Sequence, residues 1–173
     1  MENAMSARKP DPVVNIDDIP LMDFGHGDGF AARLGRIGPL VGAVQLGCML
    51  TAVPPGKKAF PFHAHHANEE MAFILSGTGE VRLGEERHPL RAGDFVAMPA
   101  GGAETAHQII NTGSEELRYL CMSTMRNPEA VEYPDSGKFA VTAGIPPGGG
   151  PRDARLRVIG RTNETLDYWD GEE

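Results

Sequence analysis

Four residues in the middle of the chain are of types that hold metal ions, and their spacing lets them meet. His63 and His65 stand two apart. In an extended segment alternate side chains share a face, so both imidazoles project the same way. Glu70 opens an apolar run after Ala67, Asn68 and Glu69, and a turn there returns its carboxylate beside the two rings on a neighbouring strand. His107 heads a further short apolar run, His107-Gln-Ile-Ile-Asn111, which follows Gly93-Asp-Phe-Val-Ala-Met-Pro99-Ala-Gly101. Three imidazoles and a carboxylate on one side of a sheet suit a divalent cation better than a core, because each buried polar group would otherwise need its own partner. The donor set accepts one zinc, iron, manganese or nickel ion. Four protein ligands on an octahedral ion leave two positions for water, substrate or dioxygen, whereas a closed tetrahedral zinc leaves none.

These two stretches resemble the paired motifs of the cupin superfamily, and the chain is similar to small single-domain bacterial cupins of the Cupin_2 type whose function is unassigned. The first motif runs from Gly56 through His63, His65 and Glu70 to Gly77, and the second from Gly93 through Pro99 and Gly101 to His107 and Asn111. The resemblance spans about residues 40 to 125. It departs from the pattern in two loops: six residues rather than five separate Gly56 from His63, and five rather than two separate Gly101 from His107. The resemblance implies an all-β fold, a cupin jelly-roll β-barrel or double-stranded β-helix, with His63, His65, Glu70 and His107 as ligands of one metal.

The elements that must position these residues are legible around them. With 173 residues the chain is long enough for one well-buried core and short for two. Its 22 glycines and 14 prolines make about a fifth of the chain, which implies many turns without reaching the level of disorder. Residues 1–40 read as an N-terminal arm, punctuated by Pro10, Pro12 and Pro20, with Phe24 to Phe30 too rich in glycine for a regular element. Residues 41–125 read as the barrel and 126–173 as a C-terminal extension packing on the barrel or on a partner subunit.

Within the barrel, Val41 to Val53 is a strand stopped by Pro54-Pro55-Gly56. Glu70, Ala72 and Ile74 share one face of the next, while Met71, Phe73 and Leu75 share the other, so both faces need cover from a sheet, an arm or a second subunit. Glu80 to Gly84, Asp94 to Met98, Ala106 to Asn111 and Leu117 to Thr124 follow as short strands at the spacing of a sandwich or barrel. In the extension, a Pro-Asp-Ser-Gly turn separates two extended pieces within Val131 to Val141, and Arg155 to Ile159 forms one more strand.

The remaining polar residues read as follows. His26 and His88 are loop and surface residues, and His66 points away from the His63 and His65 pair. Lys57 and Lys58 either greet an anion or form a solvated turn. Cys48 and Cys121 are reduced core residues. Tyr133 and Trp169 either line a pocket or, as we favour, wrap the exterior or another subunit.

A net charge of -8 argues against nucleic acid or membrane partners. The absence of an apolar leader or span points to the cytoplasm, and we expect a homodimer with a small-molecule substrate or ligand. Three functions fit: a metal-assisted isomerase acting on a small polar metabolite such as a sugar or keto acid, a non-haem iron dioxygenase, or a non-catalytic ligand-binding sensor. The resemblance to cupins named as sugar-phosphate isomerases by analogy places the first ahead. No serine or cysteine nucleophile elbow, P-loop or dinucleotide fingerprint is present.

Overall fold

A computed structural model of the chain describes residues 10–172; residues 1–9 of the expected arm lie outside the described residues. Among the described residues there are thirteen strands and four single-turn 3₁₀ segments. In chain order the strands are β1 (Met22–His26), β2 (Phe30–Arg36), β3 (Leu46–Val53), β4 (Ala64–His65), β5 (Glu70–Ser76), β6 (Thr78–Leu83) and β7 (Glu86–Arg91). Then come β8 (Phe95–Met98), β9 (His107–Ile110), β10 (Leu117–Thr124), β11 (Glu129–Tyr133), β12 (Lys138–Ala143) and β13 (Leu156–Arg161). No helix among the described residues is long and apolar enough to cross a membrane.

The strands form a six-stranded sheet in the order β1-β2-β3-β10-β5-β8, a four-stranded sheet β13-β12-β11-β4, and a three-stranded sheet β7-β6-β9. Isolated bridges between His63 and His107 and between Lys58 and Ile110 stitch their seams. The core lies between the six- and three-stranded sheets: Val53, Ala72, Ile74, Val96, Met98, Leu117 and Tyr119 from one meet Val81, Leu90 and Ile109 from the other. This is the expected all-β jelly roll.

Strand β5 shows how the pattern sets the wall. Ala72 and Ile74 are fully buried, and Glu70 shares their inward side. Gly77 ends the strand with φ +83°, and a Cβ there would meet the Glu116 carbonyl oxygen at 2.6 Å, so only glycine lets the chain reverse against β10. On the outer side Phe73 packs on Phe95 with ring centroids 4.5 Å apart. Phe95 itself is 65% exposed. The N-terminal segment covers another part of the outer side, where Ile19 is buried beside Gly35.

Two local expectations are corrected. The glycine-rich stretch from Phe24 to Phe30 is the turn and flank of a regular hairpin, β1 on β2, which extends the six-stranded sheet through β2 on β3. Gly25 is there because its strand partner lies close: a Cβ would sit 2.5 Å from the Phe30 carbonyl oxygen. The second correction is the strand expected from Val41, which begins only at Leu46. Before it the chain turns, with Leu40 N donating to Ile37 O and Ala43 N to Gly38 O, both at 2.9 Å. In that turn local hydrogen bonds outweigh the apolar composition.

Candidate metal centre

All four residues singled out by spacing meet. His63 lies just before β4 and His65 within it, Glu70 starts β5 and His107 starts β9, so all three sheets contribute. Each offers one ligand atom, and these four atoms lie within 4.8 Å of one another. Glu70 Oε2 stands 3.1 Å from His107 Nε2 and Glu70 Oε1 stands 3.8 Å from His65 Nε2. The His63 and His107 ring centroids are 4.5 Å apart. Reciprocal backbone bonds, His63 N to His107 O at 3.1 Å and His107 N to His63 O at 2.8 Å, hold these two rings side by side.

At His63 the outward ring nitrogen fixes which nitrogen faces the centre. His63 Nδ1 is 2.8 Å from the Pro61 carbonyl oxygen, an acceptor that keeps the proton on Nδ1 and leaves the Nε2 lone pair free. His65 Nδ1 faces Glu129 Oε2 at 3.6 Å. Glu129 is itself anchored by the Ala67 amide at 3.0 Å and by the Asn68 side-chain amide. At 3.6 Å the approach of Glu129 to His65 is an ion-pair distance and not a hydrogen bond: among the described residues the Nδ1 atoms of both His65 and His107, the latter 4% exposed, are buried without a hydrogen-bond partner.

The electrostatics match a cation-binding group. Burial and then the adjacent rings of His107 and His65 push the His63 pKa down to about 4, so this imidazole is neutral at physiological pH, as a ligand must be. At His65 burial opposes the charged ring, but the carboxylates of Glu129 and Glu70 outweigh it and raise the pKa. Burial likewise opposes the charge on Glu70, yet the hydrogen bond from His107 and the charge of His65 keep its carboxyl below the ordinary range. Three neutral-capable imidazoles and an ionised carboxylate, gathered at one buried point, form a donor set that could hold a divalent metal ion.

Cys121 lies on the inward side of β10, paired with Ala72 of β5. Burial and the nearby Glu70 charge push its thiol well above the usual range, so it stays protonated and behaves as part of the core wall. His66 points the other way, half-exposed, with Nε2 2.6 Å from Glu132 Oε1. His88 is exposed beside Glu86. Trp169 is 70% exposed, on the surface. Tyr133 is different: its ring stacks on His63 at 6.2 Å and 22°, at the rim of the centre.

Glu129 and Tyr133 were not singled out together with the ligands. The sequence held half of the signal, the alternation of residues 129, 131 and 133 along one strand; the other half, the pairing of β11 with β4 that sets Val131 opposite His65, is visible only in the structure. Their side of β11 therefore faces the centre.

A family model described as Cupin domain matches residues 49–123. Protein SchB of Streptomyces halstedii is 30% identical over 108 residues, covering 62% of this chain and 73% of that protein. An uncharacterised protein of Methanocaldococcus jannaschii is 37% identical over 71 residues, 41% of this chain and 54% of its own, so the match spans about half the length of that relative. Among solved structures, a sugar phosphate isomerase from a cupin superfamily of Silicibacter pomeroyi has a TM-score of 0.74 at 22% identity, covering 91% of this chain and 98% of that one. A protein of Acidithiobacillus ferrooxidans whose sugar phosphate isomerase name is provisional has a TM-score of 0.72 at 24% identity, covering 90% and 97%. At those identities the likeness is one of fold, and its coverage takes in the C-terminal sheet as well as the core strands. With matching motifs, matching architecture and a relative aligned over most of its length, the chain belongs to the cupin superfamily.

Proposed function

We propose that the protein is a metal-dependent cupin that isomerises a small polar metabolite, a sugar or keto acid, at the centre formed by His63, His65, Glu70 and His107. The observation that carries this reading is the convergence of their four donor atoms within 4.8 Å. A divalent ion held there supplies Lewis-acid polarisation of a substrate carbonyl or hydroxyl oxygen. The chain's own groups do the rest. Pro61 and Glu129 keep the His63 and His65 rings oriented. Tyr133, whose hydroxyl burial holds in its protonated form, offers a hydrogen-bond donor beside His63.

The two solved structures that share nearly the whole fold carry sugar phosphate isomerase names, one of them provisional, and support that choice over the dioxygenase and sensor readings. We place the protein in the cytoplasm as a homodimer, its interface on the outer side of β5 and β8, where Met71 and Phe95 are 41% and 65% exposed.

The test has two arms. Tag-free protein is assayed for metal content, then a panel of aldose and ketose phosphates is incubated in D₂O with metal-loaded protein and C2 proton exchange is read by NMR. Stoichiometric metal with exchange supports the proposal. Metal without exchange, together with dioxygen uptake by the Fe(II)-loaded form, replaces isomerisation by the oxygenase chemistry.

A further inference from the structure

The lysine pair beside the first motif is already engaged. Lys57 Nζ donates to the Asp28 carbonyl oxygen, and Lys58 Nζ lies 5.2 Å from the Phe30 ring centroid. Both belong to the β1–β2 hairpin side of the molecule. Cations on the side of the metal centre come from elsewhere, and the strand register identifies them.

Directly paired residues of an antiparallel ladder project to the same face. His65 stands opposite Val131, so Glu129 and Tyr133, two residues to either side, face the centre with it. The distances agree: 3.6 Å from Glu129 to His65, and a 6.2 Å stack of Tyr133 on His63. The ladder carries this face outward. Tyr133 pairs with Lys138 and Glu129 with Thr142, then Lys138 pairs with Arg161 and Thr142 with Arg157. Three cations thus lie on the face that bears His65.

Arg161 has an acidic neighbour, Glu164 Oε1 at 3.8 Å. Among the described residues neither Lys138 nor Arg157 has a carboxylate within 4 Å. Lys138 Nζ sits 5.5 Å from the Tyr133 ring centroid, and the positive charge of Arg157 reaches the Tyr133 hydroxyl, opposing the effect of burial there. In a chain with a net charge of -8, two cations without a carboxylate partner on the sheet face that bears the centre, one of them over the Tyr133 ring, are a local reversal of sign. A ring face, a guanidinium and an ammonium together match a short oxygen-rich molecule ending in a dianion.

We propose that Lys138 and Arg157 form an anion subsite beside Tyr133 that receives the phosphate of a small phosphorylated metabolite while its oxygen functions lie at the His63, His65, Glu70 and His107 cluster. This deepens the isomerase reading and rests on it for the second half of the statement; the anion subsite itself does not require metal.

The experiment is therefore calorimetric titration of the full chain, first stripped with chelator and then metal-loaded, with inorganic phosphate, ribose and ribose 5-phosphate as probes. Saturable phosphate binding to the stripped protein is expected, with ribose 5-phosphate binding the loaded form at least about tenfold more tightly than ribose. K138Q and R157Q each weaken phosphate about tenfold, while K138R keeps it. R33Q, on β2 of the six-stranded sheet and paired with Glu116, leaves it unchanged. E70Q loses metal and keeps phosphate, which separates failure of the metal reading from failure of the subsite. Phosphate binding that is absent from the wild type, or unchanged in both K138Q and R157Q with their folds intact by circular dichroism, overturns the subsite.

Discussion

Glu129 Oε2 stands 3.6 Å from His65 Nδ1, so a carboxylate from the C-terminal sheet backs an imidazole of the first cupin motif. A carboxylate in that position favours the proton on Nδ1, leaves Nε2 free to face the centre and raises its basicity. E129Q is expected to weaken metal affinity about 10–100-fold, read by competition with a chelating dye. Ring ¹⁵N shifts of His65 check the cause: the Nδ1–H tautomer dominates in the wild type and loses that dominance in the variant. An unchanged tautomer ratio would reduce Glu129 to a packing role.

A pH dependence follows from His63. Burial and the neighbouring His107 and His65 rings hold it at about 4, against an ordinary 6.5. Between these values the unfolded chain takes up a proton that the folded chain refuses, so stability rises with pH across that window and is fully present above 6.5. His63 alone should therefore cost metal-free protein on the order of 3 kcal/mol as pH falls from 6.5 to 4. His65 shifts in the opposite sense and contributes stability that is lost as pH rises through its folded value. Urea titrations of H63N beside the wild type isolate the His63 share, and equal slopes for the two proteins would contradict it.

Metal should stabilise the fold by mass action. At a free zinc or manganese concentration about 100 times Kd, the gain is about 2.7 kcal/mol if the ion avoids the unfolded chain. H107Q and E70Q should melt at one temperature with and without the ion in differential scanning calorimetry. A metal-dependent shift that persists in both variants would move the ion to another site.

Asn111 closes the second motif and holds three backbone groups. It is fully buried; its Nδ2 donates to Val53 O at 2.7 Å and Glu115 O at 2.8 Å, and its Oδ1 accepts from Gly113 N at 2.9 Å. N111A leaves all three without that partner and is expected to destabilise by about 3 kcal/mol. Equilibrium urea unfolding gives the number, and a loss within about 0.5 kcal/mol would show that the loops repair themselves.

Short-range order was the readable part. The inward set Glu70, Ala72 and Ile74 followed from strict alternation, and His63 with His65 followed from the same rule. Composition misled where a turn and a strand share residues: Gly25 sits where its partner strand approaches closely and Gly27 turns the hairpin at φ +54°, which a count of glycines does not reveal. Long-range pairing was the hidden part. Nothing local to Glu129, Lys138 or Arg157 says that β11 lies against β4, some 60 residues earlier in the chain. Tyr133 was weighed as a pocket residue and as an exterior one, and only the stack on His63 decides between them.

That pairing of β4 with β11 also carries a timetable. The four candidate ligands are all synthesised before residue 129, while the short strand bearing His65 has its sheet neighbour in β11. A chain cut ahead of Glu129 would carry three imidazoles and an acid without the brace that aligns them. If the four hold an ion, its firm capture follows the synthesis of β11.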